Sequence, residues 1–371
     1  MSKGKVVVGM SGGVDSSVAA ILLKNEGYEV IGLFMRNWDS SLNNDFLGKK
    51  KEELELDICP QEKDYNDAIE VCKKIGIPLH RVDFVKEYWD YVFTYFLNEL
   101  KAGRTPNPDV MCNKYIKFDY FIKEAKKLGA NYVATGHYAN TKDNNLYMAK
   151  DANKDQTYFL SMLSSKQLDH VLFPLGNLEK TEVRKIASDY GLITAAKKDS
   201  TGICFIGERN FKEFLKNYFP VNKGKIINIE NGDVVGEHSG LMYYTIGQRK
   251  GLNLGGNSDK MFIVGKNINE NILYVAPGED NNFLYSDSTI LENMNFISDT
   301  RPLKCKAKFR YRAPLYDVNI EYLDNGYIKL NYNNVKAVTP GQICVLYDGE
   351  LCIGGGIIKE VYKDNKKIWY L

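Results

Sequence analysis

Lys5–Ser17, KVVVGMSGGVDSS, joins a short apolar run to a glycine turn rich in hydroxyls. VAAILLKNEG, Val18–Gly27, continues it with the spacing of a helix. The run reads as a strand, Val14 to Asn25 as the helix, and Gly9–Ser17 as the turn between them. Backbone N–H groups in such a turn, aimed along a helix N-terminus, form an anion site. Ser11, Ser16 and Ser17 add hydroxyl donors. The lysine of a Walker A loop is missing. Asp15 stands in its neighbourhood, where it can cap the helix or hold a Mg²⁺ that bridges phosphates. The bland alternative is a tight βα turn without a ligand, but SGGVDSS directly after a strand favours a nucleotide site.

Outward from this turn the pattern alternates. YEVIGLFMR is a second strand, and a polar connection runs from Asn37 to Pro60. Asp64 to Ile75 has helical spacing, IPLHRVDF is a strand, and Tyr88 to Ala102 is a helix with aromatic faces. Gly103 to Asn113 reads as a Pro/Gly/Asn loop, Tyr115 to Leu128 as a helix, and ANYVATGHYA as a strand ending in a turn. This alternation predicts an α/β domain with a doubly wound parallel sheet. Ligands of such sheets bind at the carboxyl ends of the strands. Gly9–Ser17, Phe34–Trp38 and Thr135–His137 lie at such ends and are expected to converge.

Helical spacing continues through Asp155–Leu163 and Lys180–Tyr190 and fades after NFKEFLKNYFP. From Val221 onward short alternating runs are separated by turn signals, among them ENGD, DNGY and YDGE. These mark hairpins, and their spacing suits small barrels. Asn282 to Ser298 reads as a separator. The expected domains are a catalytic domain over 1–210, a central β-rich domain over 211–282 and a C-terminal β-barrel over 283–371.

The bulk properties exclude little but bound the rest. The chain has 371 residues, 44% hydrophobic and 26% charged, with a net charge of +2. That is globular composition for two or three domains, without a whole-molecule field to attract nucleic acid. The four histidines show no metal spacing, and the seven cysteines form no CxxC pair. Unpatterned thiols fit a reducing compartment. No apolar run reaches the roughly 18 residues that suggest a membrane span. A soluble, cytoplasmic monomer is the expectation.

Two cysteines stand apart. Cys112 lies in RTPNPDVMCNKYIKF, where the next helix is expected to begin at Cys112 or Asn113, with Lys114 and Lys117 following. Cys204 lies in KKDSTGICFIGERNF beside Lys197, Lys198 and Arg209. Cationic neighbours favour the thiolate in both. Asp109 is placed to act as acid or base near Cys112. Cys59, Cys72, Cys305, Cys344 and Cys352 read as small buried hydrophobes. Lys304, Lys306, Lys308, Arg310 and Arg312 alternate along KCKAKFRYR, so a strand would carry all five on one face. Interleaved aromatics make that face a candidate RNA surface.

The loop SGGVDSS resembles the PP-loop of ATP pyrophosphatases, which cleave ATP between the α and β phosphates and so adenylate a substrate. GMSGGVDSS, FMRNWD, TPNPDVMCNKYIKF, ATGHYA, KDQTYFL, STGICFIGERNF, YYTIGQRKGL, RYRAP and TPGQICVLY, in that order, resemble the tRNA-specific 2-thiouridylases, the MnmA family. The resemblance implies an adenine nucleotide alpha hydrolase-like fold and sulfur insertion at C2 of the wobble uridine, U34, of tRNAs for Lys, Glu and Gln. It implies ATP, with Mg²⁺, as cosubstrate, and a sulfur-relay protein fed by a cysteine desulfurase as partner. It assigns Cys204 as persulfide carrier and Cys112 as nucleophile, able to finish as a disulfide with Cys204. Direct attack by the persulfide is the other route.

Nucleotide contacts implied by the family are Gly9, Met10, Ser11, Gly12, Gly13, Val14, Asp15, Ser16, Met35 and Gly136. Asn107, Pro108 and Asp109 match the segment that meets the target base. His137, Lys154, Asp155, Gln156, Arg310, Tyr311 and Gln342 match tRNA-contacting positions. The rivals are another PP-loop adenylating ligase, such as an amidotransferase-type synthetase, and a non-catalytic RNA- or nucleotide-binding protein. An iron–sulfur cluster on Cys112 and Cys204 is a less favoured variant of the sulfur route.

Overall fold

The computed structural model describes residues 3–47, 60–199, 203, 210–252, 254 and 260–371. Its first half contains β1 (Lys5–Gly9), α1 (Val14–Asn25), β2 (Glu29–Arg36), α2 (Pro60–Ile75) and β3 (Leu79–Asp83). β4 (Tyr132–Ala134), β5 (Asn140–Lys142), β6 (Asn145–Tyr147), β7 (Val171–Leu172) and α3 (Lys180–Asp189) follow. One sheet runs β3-β2-β1-β4-β7, and every neighbouring pair is parallel. The alternation of side chains explains the double winding. Val6 and Val8 face a core with residues of α1, α2 and α3, while Val7 faces the other core. In β2, Val30 and Phe34 join the first core and Ile31, Leu33 and Met35 the second. Strand order reverses between β1 and β4, and the carboxyl ends of that pair open the crevice where such folds bind ligands.

The second core is covered by two helical stretches, 85–101 and 108–127. Each contains π-helical turns, at Trp89–Phe93 and at Cys112–Tyr120. Such turns are rare and are enriched at functional sites. Trp38 anchors this side. It is 1% exposed and meets Tyr88, Trp89, Phe93 and Phe214 with ring centroids 4.9–6.3 Å away.

The second half is β-rich, as its turn signals predict. β8 (Gly224–Asn228), β9 (Val234–His238), β10 (Met261–Asn267) and β11 (Ile272–Pro277) form a sheet in the order β10-β11-β8-β9. β12 (Tyr285–Phe296), β13 (Lys304–Lys308), β14 (Tyr316–Tyr322), β15 (Ile328–Lys336), β16 (Ile343–Asp348) and β17 (Leu351–Lys363) form a barrel. The barrel order is β12-β15-β14-β13-β16-β17, and pairing of β12 with β17 closes it. ENGD, DNGY and YDGE each join antiparallel neighbours. In DNGY both Asn325 and Gly326 have positive φ, 61° and 76°, which matches the right-handed twist of a hairpin.

Four expectations need correction. Asn282–Ser298 is no separator, because β12 occupies most of it and is a barrel strand. The basic run does not form one strand face. β13 ends at Lys308, the chain bends after it, and Arg310 turns inward. Asp155–Leu163 contains a helix only at Thr157–Leu160. The segment Gly103–Asn113 is a loop only as far as Asn107, since helix begins at Pro108. The β5–β6 hairpin was not foreseen at all. It leaves the first half and pairs with β17, Leu146 opposite Cys352, which fastens the barrel to the parallel-sheet domain.

Candidate functional site

The turn after β1 is shaped by close approach. Gly12 has φ +70°, and a Cβ there would stand 2.1 Å from the carbonyl oxygen of Asp64 in α2. Gly136, just past β4, lies against the first turn of α1, so that a Cβ would stand 2.7 Å from Asp15 C and Ser16 N. Glycine at both positions lets three backbones meet around one crevice. Gly13 is the N-cap of α1 and supplies no side-chain cap. The first N–H groups of the helix therefore lack a side-chain acceptor among the described residues. Ser11 N donates to Ser16 Oγ at 3.2 Å, and the Ser11 and Ser16 hydroxyls lie 3.1 Å apart. An uncapped helix start beside paired hydroxyls suits phosphate oxygens.

Charge around the turn comes from elsewhere in the chain. Lys180, the first residue of α3, donates to both carboxylate oxygens of Asp15 at 2.7 and 2.8 Å. Tyr138 OH donates to the same carboxylate at 2.8 Å. Asp15, read as a cap or Mg²⁺ ligand, is thus held by a lysine and a tyrosine. Asp199 accepts Lys180 at 2.8 Å, Lys154 at 2.7 Å and Arg184 at 2.9 Å. Burial pushes the Asp199 carboxyl up, but hydrogen bonds from Lys154 and Lys180 and their charges outweigh it and hold the pKa at about 2. On the other side Lys197 Nζ reaches Gly12 O at 2.8 Å, Asp64 at 2.8 Å and Asp67 at 2.5 Å. Lys180, Arg184, Asp199 and Tyr138 were missed in the sequence, and Lys154 and Lys197 were given other roles there. The available signal was KTEVR, in which Lys180 and Arg184 are spaced to share a helix face. Among the described residues no cluster of three or more His, Cys, Asp or Glu could hold a metal ion.

Cys112 is fully buried. Asn107 caps the helix, accepting from Val110 N at 3.3 Å, and Pro108 takes the first helical position. Cys112 therefore sits beyond the first turn, where a helix N-terminus no longer favours a thiolate, and the expectation of a helix starting at Cys112 is corrected. Asp109 occupies the first turn instead. Lys114 is half-buried, and burial lowers its pKa. The lead into this helix is gripped by both β-domains. Lys266 Nζ, buried and drawn down to about 8 by that burial, donates to Gly103 O at 3.2 Å. Thr105 N donates to Pro340 O at 2.9 Å, and Gln342 Nε2 donates to Thr105 O at 2.8 Å.

The remaining predicted residues divide by where they face. Met35 is buried, its Cε 3.6 Å from where a Cβ of Gly9 would stand, in core packing at the strand end. His137 is 8% exposed, bonded through Nδ1 to Thr135 Oγ1 at 2.7 Å and packed by Phe118 and Phe173. Asp155 is buried and accepts from Ala149 N and Thr157 Oγ1. Gln156 binds the backbone N–H of Tyr138 at 2.9 Å. Arg310 donates to Ile246 O and Thr339 Oγ1, tying the middle domain to the barrel. His137, Asp155 and Arg310, matched to tRNA-contacting positions, thus have buried or half-buried side chains engaged within the protein. The half-buried Tyr311 stacks near Phe159, centroids 4.3 Å apart, with Arg312 beside it. Cys204, and with it any disulfide or cluster with Cys112, lies outside the described residues.

One further residue at the crevice was not singled out. Asn37 follows β2 at its carboxyl end and is completely buried. Its backbone N–H donates to Gln61 Oε1, yet neither side-chain polar atom has a partner among the described residues.

A glycine turn suited to phosphate at the switch point of a parallel sheet, followed by two β-domains, defines the class as a nucleotide-binding HUP-type enzyme domain with two appended β-rich domains, the last a closed barrel. Family profiles agree in order: "tRNA methyl transferase HUP domain" matches residues 4–208, "tRNA methyl transferase PRC-barrel domain" 212–277 and "Aminomethyltransferase beta-barrel domain" 286–358. The tRNA-specific 2-thiouridylase MnmA of Mycoplasmopsis synoviae is 59% identical over 372 residues, covering 100% of this chain and 99% of that protein. Those of Metamycoplasma arthritidis and Staphylococcus carnosus are 56% and 54% identical, each covering 99% of this chain and 99% and 98% of the relative. The chain belongs to the tRNA-specific 2-thiouridylase family.

Proposed function

We propose that this chain is an ATP-dependent tRNA uridine 2-sulfurtransferase acting on the wobble uridine. The reading rests on a turn suited to phosphate whose Gly9 packs close to Phe121, in the helical stretch that also carries Cys112, and on the hold of the C-terminal barrel on the lead of that stretch. The C2 oxygen of uracil is a poor leaving group. Attack of that oxygen on the α-phosphate of ATP releases pyrophosphate and leaves an oxygen that departs with AMP. The cradle suits the departing pyrophosphate, and this cut involves no γ-phosphoryl transfer of the kind that a Walker lysine serves. Asn107, Pro108 and Asp109 lie at the start of the Cys112 helix and are assigned to the target base. A wobble uridine in a single-stranded loop costs little to turn outward.

Sulfur enters as a persulfide on Cys204. In the disulfide route the Cys112 thiolate attacks the inner sulfur of that persulfide. Hydrosulfide leaves, adds at C2 and expels AMP. The two cysteines are left as a disulfide, which an external thiol reduces. The profile descriptions name methyl transfer, whereas the relatives' names specify thiolation. Relatives 54–59% identical over nearly the whole chain favour thiolation, which is the reading adopted. Monomeric state, cytoplasmic location, Mg²⁺ and a sulfur-relay partner belong to the same proposal, as do domains at 1–210, 211–282 and 283–371. No helix among the described residues is long and apolar enough to cross a membrane.

The test is transfer of radiolabelled persulfide sulfur to an unmodified tRNA for Lys or Glu, with ATP, comparing wild type with Cys112→Ser and Cys204→Ser. Label should appear in 2-thiouridine only with ATP and the wild-type enzyme. If both serine variants label tRNA at the wild-type rate, the thiol mechanism fails. If ATP is consumed without any sulfur transfer, another PP-loop adenylating ligase becomes the better reading.

A further inference from the structure

The loop after β1 carries no lysine, but a lysine stands over it. Lys180 Nζ lies between two carboxylates, 2.7 Å from Asp15 and 2.8 Å from Asp199. Its side chain is only 12% exposed, and Nζ is 5.7 Å from the centre of the Tyr138 ring. Both carboxylates have other partners. Asp15 keeps the Tyr138 hydroxyl, and Asp199 keeps Lys154 and Arg184. Lys180 can therefore release Asp199 without leaving that carboxylate unpaired, while it keeps Asp15. Lys197 cannot, because Asp64 and Asp67 share it and it also caps Gly12 O. Its departure would leave two like charges facing each other beside a bare carbonyl, a costly arrangement.

A triphosphate entering beside Asp15 and Asp199 meets two carboxylates whose charge is already taken up by Lys180, Lys154 and Arg184. The start of α1 offers a compensating partial charge of only about half a unit. The arrangement requires a cation that is already at hand and replaceable where it sits. We infer that Lys180 is the phosphate-binding cation of this site, supplied by α3 in place of the lysine that SGGVDSS lacks, and that it exchanges Asp199 for phosphate oxygens when a nucleoside triphosphate enters. The inference rests on the reading of the cradle as the ATP site. Asp199 stays anchored by Lys154 and Arg184 during the exchange, so the loop side of the crevice keeps its place.

Binding rather than turnover tests this. Affinities of the full chain for a non-hydrolysable ATP analogue and for AMP are measured by calorimetry, with melting curves for every variant. Charge-assisted hydrogen bonds of this kind imply that Lys180→Met binds the analogue about 10- to 100-fold more weakly. AMP, which lacks the β and γ phosphates, should bind as it does to wild type. Lys180→Arg should regain most of the lost affinity. Asp199→Asn removes the competing carboxylate and should bind the analogue at least as tightly as wild type. Equal losses for AMP and the analogue in Lys180→Met would overturn the inference. So would an Asp199→Asn protein that loses triphosphate affinity. If Lys180→Met does not fold, Lys180→Arg and Asp199→Asn still decide. A wild type that binds neither nucleotide overturns the cradle reading itself, and the inference with it.

Discussion

Gln342, in the barrel, donates its side-chain amide to the carbonyl of Thr105 at 2.8 Å, two residues before the cap of the Cys112 helix. Gly341 beside it has φ +90°, and a Cβ there would stand 2.8 Å from Arg104 Cβ. The barrel is thus pressed against the segment that leads to Asn107, Pro108 and Asp109. On the proposed reading, RNA held on the barrel and chemistry near Cys112 would share this junction.

Gln342→Ala should lower the rate of sulfur transfer by about tenfold or more, since small misplacements of positioning segments can cost up to about a hundredfold. Stability should fall by only about 1 kcal/mol for one lost hydrogen bond. The affinity for an ATP analogue should not change, because the cradle is built by other elements. Single-turnover thiolation, urea unfolding and calorimetry separate the three. Loss of nucleotide affinity together with rate would remove Gln342 from a positioning role.

Gly136→Ala tests the closeness of β4 to α1. The added methyl has no room, since the nearest atoms are backbone at 2.7 Å rather than a movable side chain. Overpacking of this kind costs about 1–3 kcal/mol. The strand end or the helix start must shift, so ATP-analogue binding should weaken as well. An alanine variant with wild-type stability and affinity would show that the crevice tolerates the shift.

Much of this site was legible, and the reasons are local. KVVVGMSGGVDSS gives strand, glycine turn and helix from residues that touch each other along the chain. The hairpins of the β-rich half were visible because ENGD, DNGY and YDGE encode their turns within four residues. What escaped depends on distant partners. Nothing near Lys180 announces Asp15, 165 positions away. The β5–β6 hairpin carries a turn signal at Asp143 and Asn144, both at positive φ, but its pairing with β17 lies in another domain. Period two along KCKAKFRYR was a sound local reading that failed when the strand ended at Lys308 and Arg310 found Ile246 and Thr339 instead.

Asn37 separates stability from function. A buried amide with both polar atoms unpartnered costs about 1–3 kcal/mol relative to a satisfied or apolar group. Asn37→Leu should therefore raise the midpoint of urea unfolding while lowering thiolation, the pattern of a residue kept for a ligand at the site's expense in stability. Unfolding curves and single-turnover assays on the same preparation check both signs. A variant that is less stable than wild type would mean that the amide is satisfied in solution.

His137 sets a pH dependence of known sign. Burial first, and the charge of Lys117 second, hold its pKa well below the usual 6.5. The ring is neutral in the fold, whereas the unfolded chain takes up a proton near 6.5. Stability from this group is therefore complete above about pH 6.5 and declines as pH falls through it, by up to about 1.4 kcal/mol per unit. His238 is lowered too, mainly by burial, and adds a slope of the same sign. Asp199 acts in a separate window: its folded pKa of about 2 lies below the ordinary 3.8, so its contribution is lost only as pH falls from about 4 toward 2. Between pH 7.5 and 5 the histidines should dominate, and His137→Gln should flatten part of the decline in urea midpoint. Parallel wild-type and His137→Gln curves over that range would mean that the ring titrates freely in the folded protein, and that the packing of Phe118 and Phe173 does not exclude water from it.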